Sequence, residues 1–199
     1  MLISQVDFQK LIDQADSYED YSVLVRKYLF HGIPFVFENR ESEYYDFRAE
    51  IANQWNVRFH EVLILGSAKL GYSYYKRTPF SLNSDIDVSI VNPWLFEEFV
   101  KAIADIQYQI DRSKIRMTHE GMIEYNRFLK YMVKGWMRPD LLPANMKGIF
   151  NRDSWFKYFK SISYEKSKAG DYKISAGLFK NFDYMERYYV ESLKASKKL

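Results

Sequence analysis

The chain has 199 residues, a formal net charge of +3 and no cysteine. That length suits one domain, and a 47% hydrophobic content is enough for a sizeable core. The lack of cysteine excludes disulfides, thiolate-bound zinc and a catalytic thiol, while the mild basicity is compatible with a polyanionic ligand without demanding one. Residues 4–15 read as a helix with Val6, Leu11 and Ile12 at amphipathic spacing and Ser4 or Asp7 as cap. A second helix is expected over 18–30, stopped by His31-Gly32 and Pro34. Residues 33–37 are a short strand or a buried connector. A third helix over 41–55 carries Tyr44, Phe47, Ile51 and Trp55, and Asn56 breaks it.

Two apolar runs follow, Val62-Leu63-Ile64-Leu65 and Ile86-Asp87-Val88-Ser89-Ile90-Val91, each bounded by Gly, Ser or Asn, so both read as buried strands. The segment between them reads as an enlarged loop. Asn92-Pro93 starts a helix with an apolar stripe of Trp94, Leu95, Phe99, Val100, Ile103, Ile106 and Ile110, which is packing. Another helix over 120–134 turns Ile123, Leu129, Met132 and Val133 inward. Gly135, Pro139 and Pro143 fix an extended loop in which Arg138 and Asp140 either rim a site or satisfy each other. A short helical piece at 155–159, a polar loop at 164–171, a strand at 172–179 and a closing helix at 182–193 complete the chain. The tail at 194–199 is basic and expected to fray. The fold class is α+β with an α/β-like core: a small mixed sheet flanked by helices. One domain is expected over 1–199, with 1–57 a helical N-terminal part and 58–193 a core carrying a helical insertion at 94–160.

Two features resist explanation by packing. Gly66-Ser67 sits where the first strand must turn. Asp85 and Asp87 stand at i and i+2, so their carboxylates share a face. Like charges side by side repel, and a divalent cation is the common compensation. Mg²⁺ takes oxygen ligands from one or two carboxylates plus substrate phosphates. A Gly-Ser turn offers a hydroxyl and backbone N–H groups to a phosphate. The loop after it interleaves Lys69, Lys76 and Arg77 with Tyr72, Tyr74 and Tyr75, which suits a triphosphate and a base, or else is an ordinary solvated insertion. His31, His60 and His119 are isolated, and no metal-binding histidine spacing exists.

Gly66-Ser67 followed by Asp85-x-Asp87 resembles the signature of the DNA polymerase beta-type nucleotidyltransferase superfamily. The longer phrase, LGSAKLGYS then RTPFSLNSDIDVSIV, is similar to stand-alone bacterial nucleotidyltransferases, some relatives of which act in anti-phage defence. The likeness covers about thirty residues. It implies a nucleotidyltransferase fold with a helix directly before the Gly-Ser strand. It implies that Gly66 and Ser67 contact a triphosphate, and that Asp85 and Asp87 are catalytic and hold Mg²⁺ or Mn²⁺. The gap between the two motifs is longer than in the shortest versions. The superfamily places a third carboxylate on a later strand, where Ser175 falls here; Asp140 and Asp171 are the nearby acids.

The leading expectation is therefore metal-dependent transfer of a nucleoside monophosphate from an NTP or dNTP to a hydroxyl, with release of pyrophosphate. The chain is too short for the thumb and fingers of a processive polymerase, which favours short products or single transfers. The acceptor is open: a nucleic acid 3′ end, a nucleotide, a small molecule or a protein hydroxyl, with Tyr188 and Tyr189 as self-modification sites. The alternative is a degenerate, non-catalytic nucleotide-binding or antitoxin-like module with a protein partner encoded nearby. A basic recognition helix is lacking, which disfavours a sequence-specific DNA binder. No stretch has the length and apolarity of a membrane span, and the first residues lack a signal-peptide pattern, so a cytoplasmic location is expected.

Overall fold

A computed structural model describes residues 3–142 and 152–197. Pro143 lies outside them. The chain opens with α1 (Gln5–Gln14), whose N-cap Ser4 accepts from the Asp7 amide. Its buried residues are Phe8 and Ile12, whereas Val6, expected inward, is exposed. α2 (Tyr18–Leu24) starts in a Ser17–Asp20 capping box and runs on as a π-helical turn, Val25–Phe30. The segment after it is a connector with a 3₁₀ turn at Phe35–Phe37. α3 (Glu41–Trp55) ends at Asn56 in the left-handed conformation, and β1 (Val62–Leu65) follows.

Gly66 opens α4 (Gly66–Leu70). The expected loop beyond it contains a small antiparallel hairpin, β2 (Tyr72–Ser73) and β3 (Thr78–Pro79). Then come β4 (Ile86–Val91), α5 (Pro93–Asp111) and α6 (His119–Val133). Asn92 and Thr118 cap the two helices. On α5 the stripe holds for Leu95, Phe99, Ile103 and Ile106, but Trp94 is 80% exposed. On α6 the buried residues are Gly121, Tyr125 and Phe128, while Ile123 and Val133 face solvent. Those two are expected inward and lie off the packed face, whereas Leu129 and Met132 pack against the core as expected.

The proline loop hides a strand, β5 (Trp136–Met137), before a 3₁₀ turn at Pro139–Leu141. α7 (Arg152–Ser161), β6 (Ile174–Phe179) and α8 (Phe182–Ser196) finish the fold. α8 continues through Lys194–Ser196, part of the expected frayed tail. The main sheet has the order β1-β4-β6-β5; β4 and β6 are parallel and the other pairs antiparallel. Among the described residues no helix is long and apolar enough to cross a membrane.

Alternation along the strands assigns the two sheet faces. Val62, Ile64, Ile86, Val88, Ile90, Ile174, Ala176 and Leu178 enter a core with α3, α5, α6 and α7. Leu63, Leu65, Val91 and Phe179 enter a second core with α1, α2 and α8. On that second face β4 reads Asp87, Ser89, Val91 from its start to its end. The apolar end packs under α8. The polar beginning has nothing apolar to pack against, and there a cavity opens.

Candidate active site

The parallel register of β4 and β6 sets the polar end of the sheet. Asp87 lies opposite Ser175, and the Ser175 hydroxyl donates to the Asp87 carboxylate at 3.2 Å. Just before both strands, Asp85 accepts from the Lys173 ammonium at 2.8 Å. On the other side, β1 pairs Leu65 with Asp87, which brings the Gly66 turn directly alongside. Gly66 has φ +64°, and a β-carbon there would lie 3.1 Å from Oδ2 of Asp87. Only glycine combines that backbone with that approach. Motifs about twenty residues apart in sequence are thus adjacent strands' ends in space.

The cavity measures about 970 Å³, enough for a nucleotide-sized ligand. Gly66, Ser67, Asp85, Asp87 and Lys76 all line it. Arg77 does not; it is exposed and takes the left-handed conformation in the hairpin turn. Lys69 does not either, which corrects its expected place at the phosphates. Its side chain is buried and donates to the carbonyls of His31 at 2.5 Å and Gly32 at 2.6 Å. Burial pushes its ammonium down to about 8.

Of the tyrosines in the same segment, Tyr74 and Tyr75 line the cavity, while Tyr72 packs into the second core. The Tyr74 hydroxyl shares a 2.9 Å hydrogen bond with Ser192. Tyr188 and Tyr189 also face the cavity, and burial holds both phenols above their ordinary range. Arg138 and Asp140 satisfy each other at 2.7 Å, as one reading of the proline loop expected, yet Arg138 also lines the cavity and Asp140 does not. Asp171 is an exposed loop residue away from it.

Sequence reasoning missed one wall. Trp136 of β5 stacks on Tyr188 at 5.4 Å with a 20° interplanar angle, and meets Tyr131 of α6 edge-on at 4.7 Å. Arg127 and Glu124 of α6 stand on the same side. The signal was weak: β5 has two residues, and α6 reads as an ordinary amphipathic helix.

Asp87 is exposed, its side chain open to the cavity, whose walls thin the solvent around it. This enclosure, reinforced by the charge of Asp85, raises its carboxyl above the ordinary range against the opposing hydrogen bond from Ser175. Lys173 is held in its charged form by the hydrogen bond to Asp85. Among the described residues no group of three or more His, Asp or Glu is arranged to hold a metal. The donor set nonetheless fits Mg²⁺ of the kind completed by substrate: two carboxylates on one face, oxygen donors throughout, and room for phosphates and water. It does not fit an ion caged by protein alone.

Compared with protein-family models, curated proteins and solved structures, the chain matches none of them.

Proposed function

We propose that the chain is a metal-dependent nucleotidyltransferase that moves a nucleoside monophosphate from an NTP or dNTP to a hydroxyl acceptor and releases pyrophosphate. The observation that carries this reading is the convergence of the Gly66-Ser67 turn and the Asp85/Asp87 pair on one cavity of nucleotide size. Gly66 leaves the backbone open to a phosphate, and Ser67 adds a hydroxyl. Lys76 and Arg138 supply positive charge along the cavity walls. Tyr131, Trp136 and Tyr188 give a base a flat apolar side.

Asp85 and Asp87 would hold Mg²⁺ or Mn²⁺, which supplies charge stabilisation where the phosphorus is attacked. Ser175 replaces a third acid, so the chain offers no general base at that position. The acceptor proton then leaves to solvent. Asp87 serves as its carboxylate, the form that a bound cation would favour.

A second reading is favoured by one observation. Lys173 already neutralises Asp85, and Ser175 already satisfies Asp87, as in a site that binds nucleotide without turnover. One incubation separates the two. Wild type and the Asp85→Ala/Asp87→Ala variant are mixed with α-labelled NTPs and dNTPs plus Mg²⁺ or Mn²⁺. Label transferred by wild type alone supports the enzyme. Binding without transfer in either protein selects the non-catalytic module.

A further inference from the structure

β5 pairs with β6 only at Trp136↔Phe179 and Met137↔Leu178. Pro139 follows one residue later, and a proline cannot donate to a ladder. Among the described residues the first half of β6 has no strand on that edge. α7 and the turn after it fill part of the gap: the Trp155 indole donates to the Ala176 carbonyl at 3.4 Å, and the Ile174 amide donates to Ser163 Oγ at 2.9 Å. Beside them remains a second cavity of about 220 Å³.

Three residues, Arg138, Ser175 and Ala176, line both this cavity and the larger one. Lys173 also lines it, and the ammonium of Lys173 is the group bonded to Asp85. The carboxylate pair thus stands where two cavities meet across one strand. Two substrates that react with each other need such a junction. The smaller cavity has room for one ring system, not for a chain of them. Aromatic side chains, Phe156 and Tyr164, reach it from α7 and the following loop and are 54% and 55% exposed. Its charges are Arg138, Lys160 and Lys173 against the single acid Asp140. Lys160 has no ion-pair partner among the described residues. Arg138 is paired with Asp140 and Lys173 with Asp85, so Lys160 is the cation left for a ligand. Flat exposed rings beside such a cation can recognise a base and its phosphate.

We propose that this second cavity is the acceptor subsite and takes a nucleotide unit, either a free nucleotide or the end of a single strand. The proposal rests on the transferase reading of the larger cavity. The acceptor hydroxyl oxygen bonds to the α-phosphorus of the nucleoside triphosphate held there. The bond from that phosphorus to the bridging oxygen breaks, pyrophosphate leaves with the electron pair, and the hydroxyl proton passes to water.

The test is binding, read by fluorescence anisotropy with two probes: a labelled mononucleotide monophosphate and a labelled single-stranded pentanucleotide. Wild type is compared with the Phe156→Ala, Lys160→Glu and double variants, whose altered residues are exposed, with a thermal melt to confirm folding. Affinity for a non-hydrolysable NTP with Mg²⁺ is measured on the same proteins. Loss of a stacking ring and reversal of a charge should weaken one probe roughly tenfold or more in the double variant. Weakening of the mononucleotide alone identifies a free nucleotide as acceptor, and weakening of the pentanucleotide alone identifies a strand end. The NTP affinity should not follow either change. If neither probe binds wild type, or if both bind the double variant as they bind wild type, the subsite is overturned. Wild type that binds a probe in the Lys160-dependent way but fails to bind NTP refutes the donor cavity and leaves the second cavity a nucleotide site.

Discussion

Lys69 shows how far a single charged residue can stand from the role its neighbours suggest. It lies two positions after Ser67, among cations that suit a triphosphate, yet it is 4% exposed and its ammonium is spent on two backbone carbonyls. Those carbonyls belong to the segment ending the π-helical turn, so Lys69 ties α4, and with it the Gly-Ser turn, to the N-terminal helices. The charge is costly there, because burial lowers its pKa from 10.5 to about 8. The sign of the consequence is fixed. Between those two values the unfolded chain binds the proton and the folded chain does not, so stability rises with pH. Below about 8 both states are protonated and the penalty is constant. Urea melts of wild type and Lys69→Met over a pH series should therefore diverge. Wild type should gain about 1–3 kcal/mol relative to the variant as pH rises across that window. A constant difference would mean that the two carbonyls hold the proton as firmly as water does. The sequence could not reveal this arrangement, because the partners are carbonyls 37 and 38 positions away.

At the scale of elements, β1 and β4 were legible as short apolar runs between turn residues, the mark of a strand buried on both faces, and β6 as an alternating segment. Asp87 and Ser175 are polar positions at matching heights of two neighbouring strands, and both motif halves could be seen before any geometry. β5 was not legible. A two-residue strand has no periodicity, and its partner lies about forty residues on. The face of α6 was only half legible. Its apolar residues allow more than one stripe, and the core takes Leu129 and Met132 together with Tyr125 and Phe128, Tyr125 also bonding Gln107 of α5 at 2.9 Å. The turn from β1 into α4 carries the sharpest prediction of this kind. Gly66→Ala forces an alanine to φ +64° and sets its β-carbon 3.1 Å from Oδ2 of Asp87. Stability should fall by about 1–2 kcal/mol. Gly170→Ala imposes a similar strain at φ +92°, with its nearest contacts at an ordinary 3.7 Å. Both variants should lose comparable stability in denaturant melts, while only Gly66→Ala should lose affinity for NTP with Mg²⁺. Equal nucleotide affinity in the two would make the turn a structural feature alone.

The whole molecule is two cores back to back on one sheet, with the cavity at the polar end of the face that the second core leaves open. α8 supplies the boundary between core and cavity. Its Met185, Val190 and Leu193 are buried, while Tyr188, Tyr189 and Ser192 line the cavity. The N-terminal helices brace it: Glu186 of α8 accepts from Nε and Nη2 of Arg26, at 2.7 and 2.9 Å, and from the Ser22 hydroxyl at 2.5 Å. Lys197 bonds the Ala15 carbonyl at 2.9 Å. A ligand seated in this cavity touches the hairpin, the sheet, α6 and α8 together, so its binding free energy should appear in the stability of the whole chain. Ligand at a hundred times its Kd adds about 2.7 kcal/mol. For a chain of this length that corresponds to a rise in Tm of about 5–10 °C. The two carboxylates need phosphate oxygens to complete a coordination shell, so Mg²⁺ alone should move Tm little, NTP alone should move it partly, and both together should give the full rise. Asp85→Ala/Asp87→Ala should retain the NTP-only shift and lose the increment due to metal. A full rise with Mg²⁺ alone would mean that the ion is held without phosphate, against the two-carboxylate reading. A full rise with NTP alone would mean that Lys76 and Arg138 carry the phosphate charge unaided, which is the behaviour of the non-catalytic module.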